Sequence, residues 1–551
     1  MKYFIFIIVW VSAVSCQPRQ EEVTPDAFYY ESIEVDGIAA NQLGFTRVSA
    51  SPAIRLAFSV PVDRESVAKS VKLTEKAGSQ SIPLTFGFVR NDTTIVIIPQ
   101  NNLSELTNYT LNVETSLLSR QKKALNNSIS VNFVTGIDTT DKFPVLSDSA
   151  LLDLVQKQTF RYFWDFAHPV SGLARERNSS GDVVTSGGSG FGVMAILVAV
   201  NRRFITRQEG LTRLLKMTDF LKNKARTYHG AFPHWLNGAT GETVPFSQKD
   251  DGADLVETSY LMQGLLAARQ YFNGQQADEI TLRKTINDLW NAVEWNWFTK
   301  NGAETNLYWH WSPTYHWAMN LPIRGWNEAL ITYVLAASSN QYAISKTVYD
   351  TSWAQNGTMK NGNRYYDTRL PLGPANGGPL FFSQYSFLGL DPRGLSDAYA
   401  NYWEQNTAHS RINYAYCLAN PGKFSGYGAN CWGLTASDDP NGYAAHEPNN
   451  DNGTISPTAA LSAFPYTPTE SMRALRFFYD KLGHRIWRNY GFVDAFNLST
   501  IWFADSFLAI DQGPIIVMIE NHRSQLLWKL VMSAPEVKQG LKKLAFQSPT
   551  L

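Results

Sequence analysis

The sequence predicts a mainly α-helical protein in which a small β-sandwich precedes an (α/α)6 barrel. Two patterns support this prediction. Short segments of alternating apolar residues occupy residues 36–138, and a persistent helical periodicity covers residues 144–545. An α-solenoid is the alternative for a chain with many helices. No repeat of fixed period occurs, however, which favours a closed barrel of paired helices.

The composition restricts the classes of partner. The length of 551 residues accommodates a large barrel together with a small second domain. Lys+Arg and Asp+Glu both number 48, so the formal net charge is +0, which argues against nucleic acid or an anionic membrane surface as a partner. The 16 Trp and 25 Tyr suit the binding of sugars, whose apolar faces stack on aromatic rings, although core packing is their other use.

The start of the chain, MKYFIFIIVWVSAVSCQPRQ, indicates export. Its apolar run is too short to span a bilayer and is typical of a signal peptide. Ser15 followed by Cys16 resembles a bacterial lipoprotein cleavage site, so we predict a signal peptide over 1–15, a lipid anchor on Cys16 and a tether over 16–35. A plain secretory signal is the alternative. We expect an exported monomer, anchored to the outer membrane by lipid alone, on its periplasmic or surface face.

The region 36–138 is predicted to form the β-sandwich. Its strand-like segments are IRLAFSV, SVKLTE, TTIVIIP, YTLNVE and ISVNFVTG, separated by turn residues. The run SPAIRLAFSVPVDRESV resembles bacterial immunoglobulin-like modules. No cluster of catalytic residue types occurs in this region, so we expect either a spacer or a wall that guides substrate.

The helical region contains about a dozen predicted helices, the number needed for six helical hairpins. Their loops are long and rich in Trp, His, Asn and Gly. The predicted helices cover 147–167, 191–203, 206–226, 254–272, 277–297, 327–338, 344–353, 394–416, 469–482, 500–509, 514–532 and 535–544.

Three of these helices begin with acidic residues. Asp254 and Glu257 lie three residues apart in DGADLVETSYLM, Glu328 follows Asn327, and Asp511 can cap the helix that contains Pro514. If these helix starts meet at one end of the barrel, the carboxylates line one acidic cleft. Capping and the helix dipole are the other explanation for acids at such positions.

Several loops combine aromatic, amide and charged residues more densely than a core could satisfy. Sugars would supply partners for these groups, whereas structural loop packing would explain any one loop alone. The candidate substrate-binding residues are Arg175, His234, Trp235, Trp309, His310, Trp326, Gln384, Tyr385, Asp391, Arg393, Trp432 and Asp438.

Paired carboxyl groups suit glycoside hydrolysis, which needs an acid for the leaving oxygen and a second carboxylate to activate water. Glu328 precedes an apolar helix and is the better candidate for the acid, although a helix N-terminus would lower its pKa. Asp511 suits a base that stays ionised, and Asp254 and Glu257 are either substrate clamps or include the base. In an inverting enzyme the two working carboxyl groups lie about 6.5–9.5 Å apart or more.

No metal or cofactor is expected. The sequence has no CxxC pair and no HExxH run, and the oxygen-rich turns SDDPNG and EPNNDNGT lack the spacing of an EF-hand. Cys417 and Cys431 could form a disulfide in an oxidising compartment, and the sequence leaves their pairing open.

The helical region resembles the bacterial glucoamylase-like domain, which includes the β-1,2-glucanases of glycoside hydrolase family 144. The motifs that carry the resemblance are DGADLVETSYLMQGLLAARQYF, IRGWNEALITYVLAASS, GPLFFSQYSFLGLDPR, WGLTASDDPNGY and FVDAFN followed by LAIDQGPIIVMIEN. The resemblance implies an (α/α)6 barrel and inverting hydrolysis, with the important acids at Asp254, Glu257, Glu328 and Asp511. It makes Glu328 the acid and Asp511 the base, with a relay of waters as one route.

The added immunoglobulin-like module is similar to that of family members that release sophorose from chain ends of β-1,2-glucooligosaccharides. We therefore expect exo action on a glucan oligosaccharide. The alternatives are an endo-β-1,2-glucanase, a hydrolase of another glucan as the name glucoamylase implies, and a non-catalytic glycan-binding lipoprotein.

Overall fold

The computed structural model describes residues 27–39, 44–76, 78 and 80–551. In the first of its two units, buried and exposed residues alternate along β-strands. The chain divides into Met1–Asp138 and Thr139–Leu551. The strands of the first unit are β1 (Tyr30–Val35), β2 (Ile38–Ala39), β3 (Gly44–Val48), β4 (Ile54–Phe58), β5 (Val71–Glu75), β6 (Ser81–Ile82), β7 (Leu84–Val89), β8 (Thr94–Pro99), β9 (Asn108–Val113) and β10 (Ile129–Thr135). One helix, α1 (Arg64–Ser70), precedes β5.

These strands form two five-stranded sheets, ordered β2-β1-β4-β8-β7 and β3-β10-β9-β5-β6. Only β3 and β10 pair in parallel among the described strands of this unit. Side chains that alternate along the strands, such as Leu56, Ile97, Leu111 and Val131, are fully buried in one core. The sheets confirm the five strands that the sequence predicts, at β4, β5, β8, β9 and β10.

The predicted tether over 16–35 is wrong at its C-terminal end. Residues Tyr30–Val35 form β1, which pairs with β4, because Ile33 and Val35 point into the core while Glu34 between them faces outward. The signal peptide, Cys16 and the tether up to residue 26 lie outside the described residues.

The second unit is helical. Its helices of five or more residues are α2 (Asp148–Trp164), α3 (Ser186–Asn201), α4 (Arg207–Asn223), α5 (Leu255–Tyr271), α6 (Ala277–Ala292), α7 (Leu330–Ser338), α8 (Tyr402–Ala419), α9 (Pro457–Leu461), α10 (Pro468–Arg476), α11 (Ala509–Arg523), α12 (Leu526–Ser533) and α13 (Pro535–Lys543). Single α-helical turns lie at Lys346–Val348 and Gly483–Ile486, and π-helical turns lie at Tyr349–Trp353 and Phe477–Lys481. None of the helices in the described part of the chain is long and apolar enough to cross a membrane.

The inner elements form a ring. Helix α3 packs between α5 and α11, α7 packs on α5, and the 3-10 turns Leu380–Ser383 and Ser386–Leu388 continue the ring. Gln384 Nε2 of these turns donates to the carbonyl of Ala459 in α9, which packs on α11 and so closes the ring. The inner helices α3 and α5 are buried on almost all faces, whereas α4 buries one stripe, as an outer helix should.

Close packing of the inner helices depends on glycine. A Cβ on Gly264 of α5 would lie 2.2 Å from the carbonyl oxygen of Gly190 in α3. The backbones of the two helices therefore touch, and only a residue without a side chain fits at this crossing.

The helix predictions are confirmed, to within a few residues at their ends, for α2, α4, α5, α6, α7, α10 and α13 and need correction elsewhere. Helix α8 begins at Tyr402, whereas the predicted helix begins at 394. Residues 500–509 form turns and the strand Trp502–Phe503, and α11 begins at Ala509, earlier than predicted. The predicted helix 514–532 is broken at Gln525, which has φ 65°. Helix α3 begins at Ser186 because the small residues SGGSG, which predict a loop, allow the close contact with α5.

Short strands lie in the loops between the helices. They are Val183–Thr185, Trp235–Asn237, Thr243–Val244, Ala253–Asp254, His310–Trp311, Arg364–Tyr365, Thr368–Arg369, Ala436–Asp439, Gly442–Ala445, Thr454–Ile455, Trp487–Arg488, Gly491–Phe492, Phe496–Asn497 and Trp502–Phe503.

Candidate active site

Asp254 is the N-cap of α5 and also the centre of a buried ionic cluster. Its Oδ1 accepts the backbone N–H of Glu257 at 2.9 Å, as a capping residue does. Its Oδ2 lies 3.0 Å from Nδ1 of His234 and 3.3 Å from Nε2 of His310, which also lies 3.1 Å from Asp250. The capping interpretation of this acid is therefore confirmed, and the same carboxylate also holds two imidazoles.

The cluster keeps both imidazoles protonated at neutral pH. Burial lowers the pKa of His234, but the charge of Glu257 and the hydrogen bond to Asp254 raise it to about 9. Burial also lowers the pKa of His310, but its hydrogen bonds to Asp250 and Asp254 raise that pKa to about 10. Burial alone would raise the pKa of Asp254, yet the two imidazoles hold it below its usual range. This site thus fixes an imidazolium, His234, at the wall of a cavity.

Glu257 lies in the first turn of α5 and points across to the start of α3. Its Oε2 accepts the backbone N–H of Gly187 at 2.8 Å and the hydroxyl of Thr185 at 3.2 Å. Burial raises the pKa of this carboxyl, and the charge of Asp254 adds to that effect. Glu257 lines the same cavity as His234.

Glu328 has the properties of a general acid. It lies just before α7, where Asn327 Oδ1 accepts the backbone N–H of Ala329 and the helix itself begins at Leu330. Burial raises the pKa of Glu328 to about 7; its own backbone N–H opposes the shift, while the charges of Glu257 and Asp254 add to it. Burial, which raises the pKa of Glu328, therefore outweighs the helix N-terminus, which would lower it.

Asp511 lies inside α11 and not at its cap, which is Leu508. It is 1% exposed, and its carboxyl group is hydrogen-bonded to that of Asp494. Burial raises its pKa well above the usual value, and the charge of Asp494 adds to this; burial also raises the pKa of Asp494 to about 7. The expectation of a base that simply stays ionised is wrong, because two adjacent buried carboxyls share a proton.

The acids on separate elements are close enough to influence one another. Burial raises the pKa of Tyr385 well above its usual value, and the charges of Asp511 and Glu328 contribute to the shift. Tyr385 itself lines the cavity beside Glu257. Glu257, Glu328 and Asp511 therefore all lie near Tyr385, at the same end of the barrel.

Two cavities that share lining residues make up the cleft at this end. The first, of 350 Å³, is bounded by His234, Glu257 and Tyr385, and the second, of 550 Å³, by Asp438 and Trp502. Arg177 and Tyr443 line both cavities. Their combined size and mixed aromatic and charged walls suit a short oligosaccharide.

Five candidate substrate-binding residues lie at or beside the cleft. They are His234, Trp235, Tyr385 and Asp438, which line it, and His310, which holds Asp254 from behind. Trp235 packs with the half-exposed ring of Phe246, 4.8 Å between centroids, and Asp438 lies 3.2 Å from the guanidinium of Arg177.

The remaining candidates have structural partners and do not line the cleft. Arg175 donates to the carbonyl of Phe166, and its guanidinium lies over the Phe166 ring. Arg177, two residues later, lines the cleft instead of Arg175. Asp391 and Arg393 pair with each other. Four other candidates are used in core packing or loop contacts. Trp326 packs against Trp353 and Phe387, and Trp309 stacks on His310. Gln384 donates to the carbonyl of Ala459, and Trp432 donates to the carbonyl of Glu470.

Residues that the sequence analysis did not single out complete the cleft. Phe246 lies outside the motifs, whereas Tyr443 and Asp494 lie within WGLTASDDPNGY and FVDAFN but are not among the sequence-predicted candidates. Phe246 and Tyr443 line the cleft, and Asp494 lies beside Asp511. Arg177 lies in the same SGLARER loop as Arg175. The backbone of Arg175 pairs with Val184, whereas that of Arg177 pairs with Leu508, next to the start of α11, so the two arginines have different neighbours.

One group of donors has the spacing of a cation site. The donor atoms of His234, Asp250 and Asp254 lie within 4.8 Å of one another. The hydrogen bonds described above pair each imidazole with a carboxylate, so the cluster does not need a cation to satisfy its charges. Cys417 and Cys431 are both buried and unpaired.

Comparison with known proteins places the chain in a family. The family described as "Putative glucoamylase" matches residues 320–535, and the bacterial Ig-like domain matches residues 40–135. The solved endo-β-1,2-glucanase from Chitinophaga pinensis is 52% identical, with a TM-score of 0.72, and the match covers 74% of this chain and 100% of that one. The chain belongs to the glucoamylase-like family.

Two further relatives support the glucoamylase-like assignment and confirm the resemblance stated from the motifs. A β-1,2-glucanase structure from Parabacteroides distasonis is 39% identical, with a TM-score of 0.71, over 94% of this chain and 73% of that one. An exo β-1,2-glucooligosaccharide sophorohydrolase (non-reducing end) from the same species is 49% identical over 420 residues. That match covers 72% of this chain and only 58% of the curated relative.

Proposed function

We propose that this chain is an inverting glycoside hydrolase that acts on β-1,2-glucooligosaccharides and releases sophorose from a chain end. The observation that carries the proposal is the buried carboxyl of Glu328, which lies close enough to Glu257 and Asp254 to feel their charges and has its pKa raised by burial to about 7. The 49% identical sophorohydrolase supports the substrate and the exo action.

The reaction follows from the arrangement of the acids. Glu328 gives its proton to the glycosidic oxygen as the bond from that oxygen to the anomeric carbon breaks. A water molecule attacks the same carbon from the opposite face and loses a proton to Asp511. The proton shared with Asp494 leaves one negative charge on that pair, so the pair can accept the proton while both groups stay buried.

Substrate binding is assigned to the walls of the cleft. The imidazolium of His234 and the guanidinium of Arg177 donate hydrogen bonds to sugar hydroxyls, and Trp235, Phe246 and Tyr443 offer faces for the rings. The carboxylate of Asp254 fixes the orientation of His234 and so acts through it.

Endo action is the alternative that a specific comparison favours, because the relative from Chitinophaga pinensis is described as an endo-β-1,2-glucanase. The two modes differ in their products. Linear β-1,2-glucan and its short oligosaccharides should be digested and the products resolved by length over time. We expect sophorose alone from the earliest time point. A ladder of lengths would establish endo action, and no product from either substrate would contradict β-1,2-glucan hydrolysis.

We also propose that the protein is exported and carries a lipid on Cys16. The support is the sequence MKYFIFIIVWVSAVSC, with a small residue before the cysteine. Labelled palmitate fed to expressing cells should appear on the parent protein and be absent from Cys16→Ser, which should leave the membrane fraction. Equal labelling of both proteins would contradict the anchor.

A further inference from the structure

A cavity of 740 Å³, larger than either cavity of the cleft, lies elsewhere on the barrel. It is bounded by the loop that contains the hairpin Arg364–Tyr365 and Thr368–Arg369, and by the first turns of the outer helix α8. None of the candidate catalytic acids lines it. Its volume falls within the range of about 300–1,000 Å³ that is common for small-molecule sites.

The charge of this cavity is unbalanced. Lys360, Arg369 and Arg411 line it, against a single carboxylate, Glu404. Neither Arg369 nor Arg411 forms an ion pair with any carboxylate of the described residues. Their guanidinium groups are thus available to an anion, and guanidinium binds phosphate or carboxylate through paired hydrogen bonds.

Two aromatic side chains give the cavity ordered, partly exposed faces. Tyr399 is held by its hydroxyl, which donates to Asp350 at 2.8 Å, and the ammonium of Lys360 lies 5.6 Å from its ring centroid. Trp403 packs against Tyr466 with 5.5 Å between ring centroids. Rings fixed in this way can stack on a sugar without losing side-chain entropy.

We propose that this cavity is a second binding site, which takes an anionic saccharide: a sugar that carries a phosphate or a carboxylate group. The arginines Arg369 and Arg411 bind the anion, and Tyr399 and Trp403 bind the ring. The site is independent of the hydrolytic cleft, so it stands whether or not the proposed reaction is correct.

Isothermal titration of the full chain at low salt tests the site with four probes: glucose 6-phosphate, glucuronate, glucose and inorganic phosphate. We expect binding of at least one anionic sugar and much weaker binding of glucose and of phosphate. The double variant Arg369→Gln, Arg411→Gln should weaken binding of the anionic sugar at least about tenfold, because each charge-assisted hydrogen bond is lost. Comparing the first two probes distinguishes a phosphate from a carboxylate.

The matched control is Arg364→Gln, on the same hairpin but outside the cavity, where the guanidinium donates to the carbonyl of Asp367. This control should bind like the parent, and all variants should keep the parent unfolding midpoint and hydrolytic rate. Unchanged affinity in the double variant would overturn the proposal, as would absence of binding by the parent. Phosphate alone binding as tightly as the sugar phosphate would overturn the saccharide part.

Discussion

Glu328→Gln is expected to lower kcat on β-1,2-glucooligosaccharides by about 10²–10⁴-fold, the contribution of a positioned general acid. Gln keeps the shape of the side chain but has no acidic proton to give to the leaving oxygen. The carboxyl makes no hydrogen bond that positions another described side chain, so KM should change little. The measurement is steady-state kinetics with the parent and variant.

A substrate with a good leaving group separates acid catalysis from misfolding. An aryl sophoroside whose phenolate leaves without protonation should lose far less rate in Glu328→Gln than the natural glycoside does. Glu242→Gln, the same change at an exposed carboxylate, is the control and should keep the parent rate. Equal losses on both substrates would contradict the acid role, and a Glu328→Gln variant with parental kcat would favour the non-catalytic binder.

The pH profile of the parent follows from the same group. Glu328 is active while protonated, so kcat/KM should fall tenfold per pH unit as the pH rises above the pKa of about 7. On the acidic side the rate should fall when the Asp494–Asp511 pair takes up a second proton and can no longer accept one from water. With the activated aryl substrate the alkaline fall should disappear, and its persistence there would assign it to another group.

The helices and the acids could be predicted because both depend on local pattern. Apolar spacing identified the long helices, and acids at helix starts were brought together simply because inner helices of a barrel begin at the same end. Asp254 both caps α5 and holds His234, since its two carboxylate oxygens have different partners.

The errors arise where one residue type serves two purposes. Trp326 and Trp432 lie in loops that resemble sugar-binding loops, yet both are buried, 5% and 0% exposed, because a tryptophan ring fills a core as well as it stacks on a sugar. The protonation of Asp511 could not be predicted either. It depends on Asp494, which lies 17 residues earlier in the loop before α11 and comes next to Asp511 only when that loop is folded.

The crossing of α3 and α5 supports the largest stability prediction. Gly264→Ala is expected to destabilise the protein by about 3 kcal/mol, the upper end for overpacking, since the added Cβ would lie 2.2 Å from the carbonyl oxygen of Gly190 and a backbone atom cannot rotate away. Activity of any folded fraction should fall too, because separating the helices lengthens the hydrogen bond from Gly187 to Glu257. Urea unfolding followed by tryptophan fluorescence measures the first effect. Gly87→Ala is the control, because its added Cβ would lie at an ordinary 3.6 Å from Val96. If Gly264→Ala unfolded at the same urea midpoint as the parent, the two helices would not touch at this point.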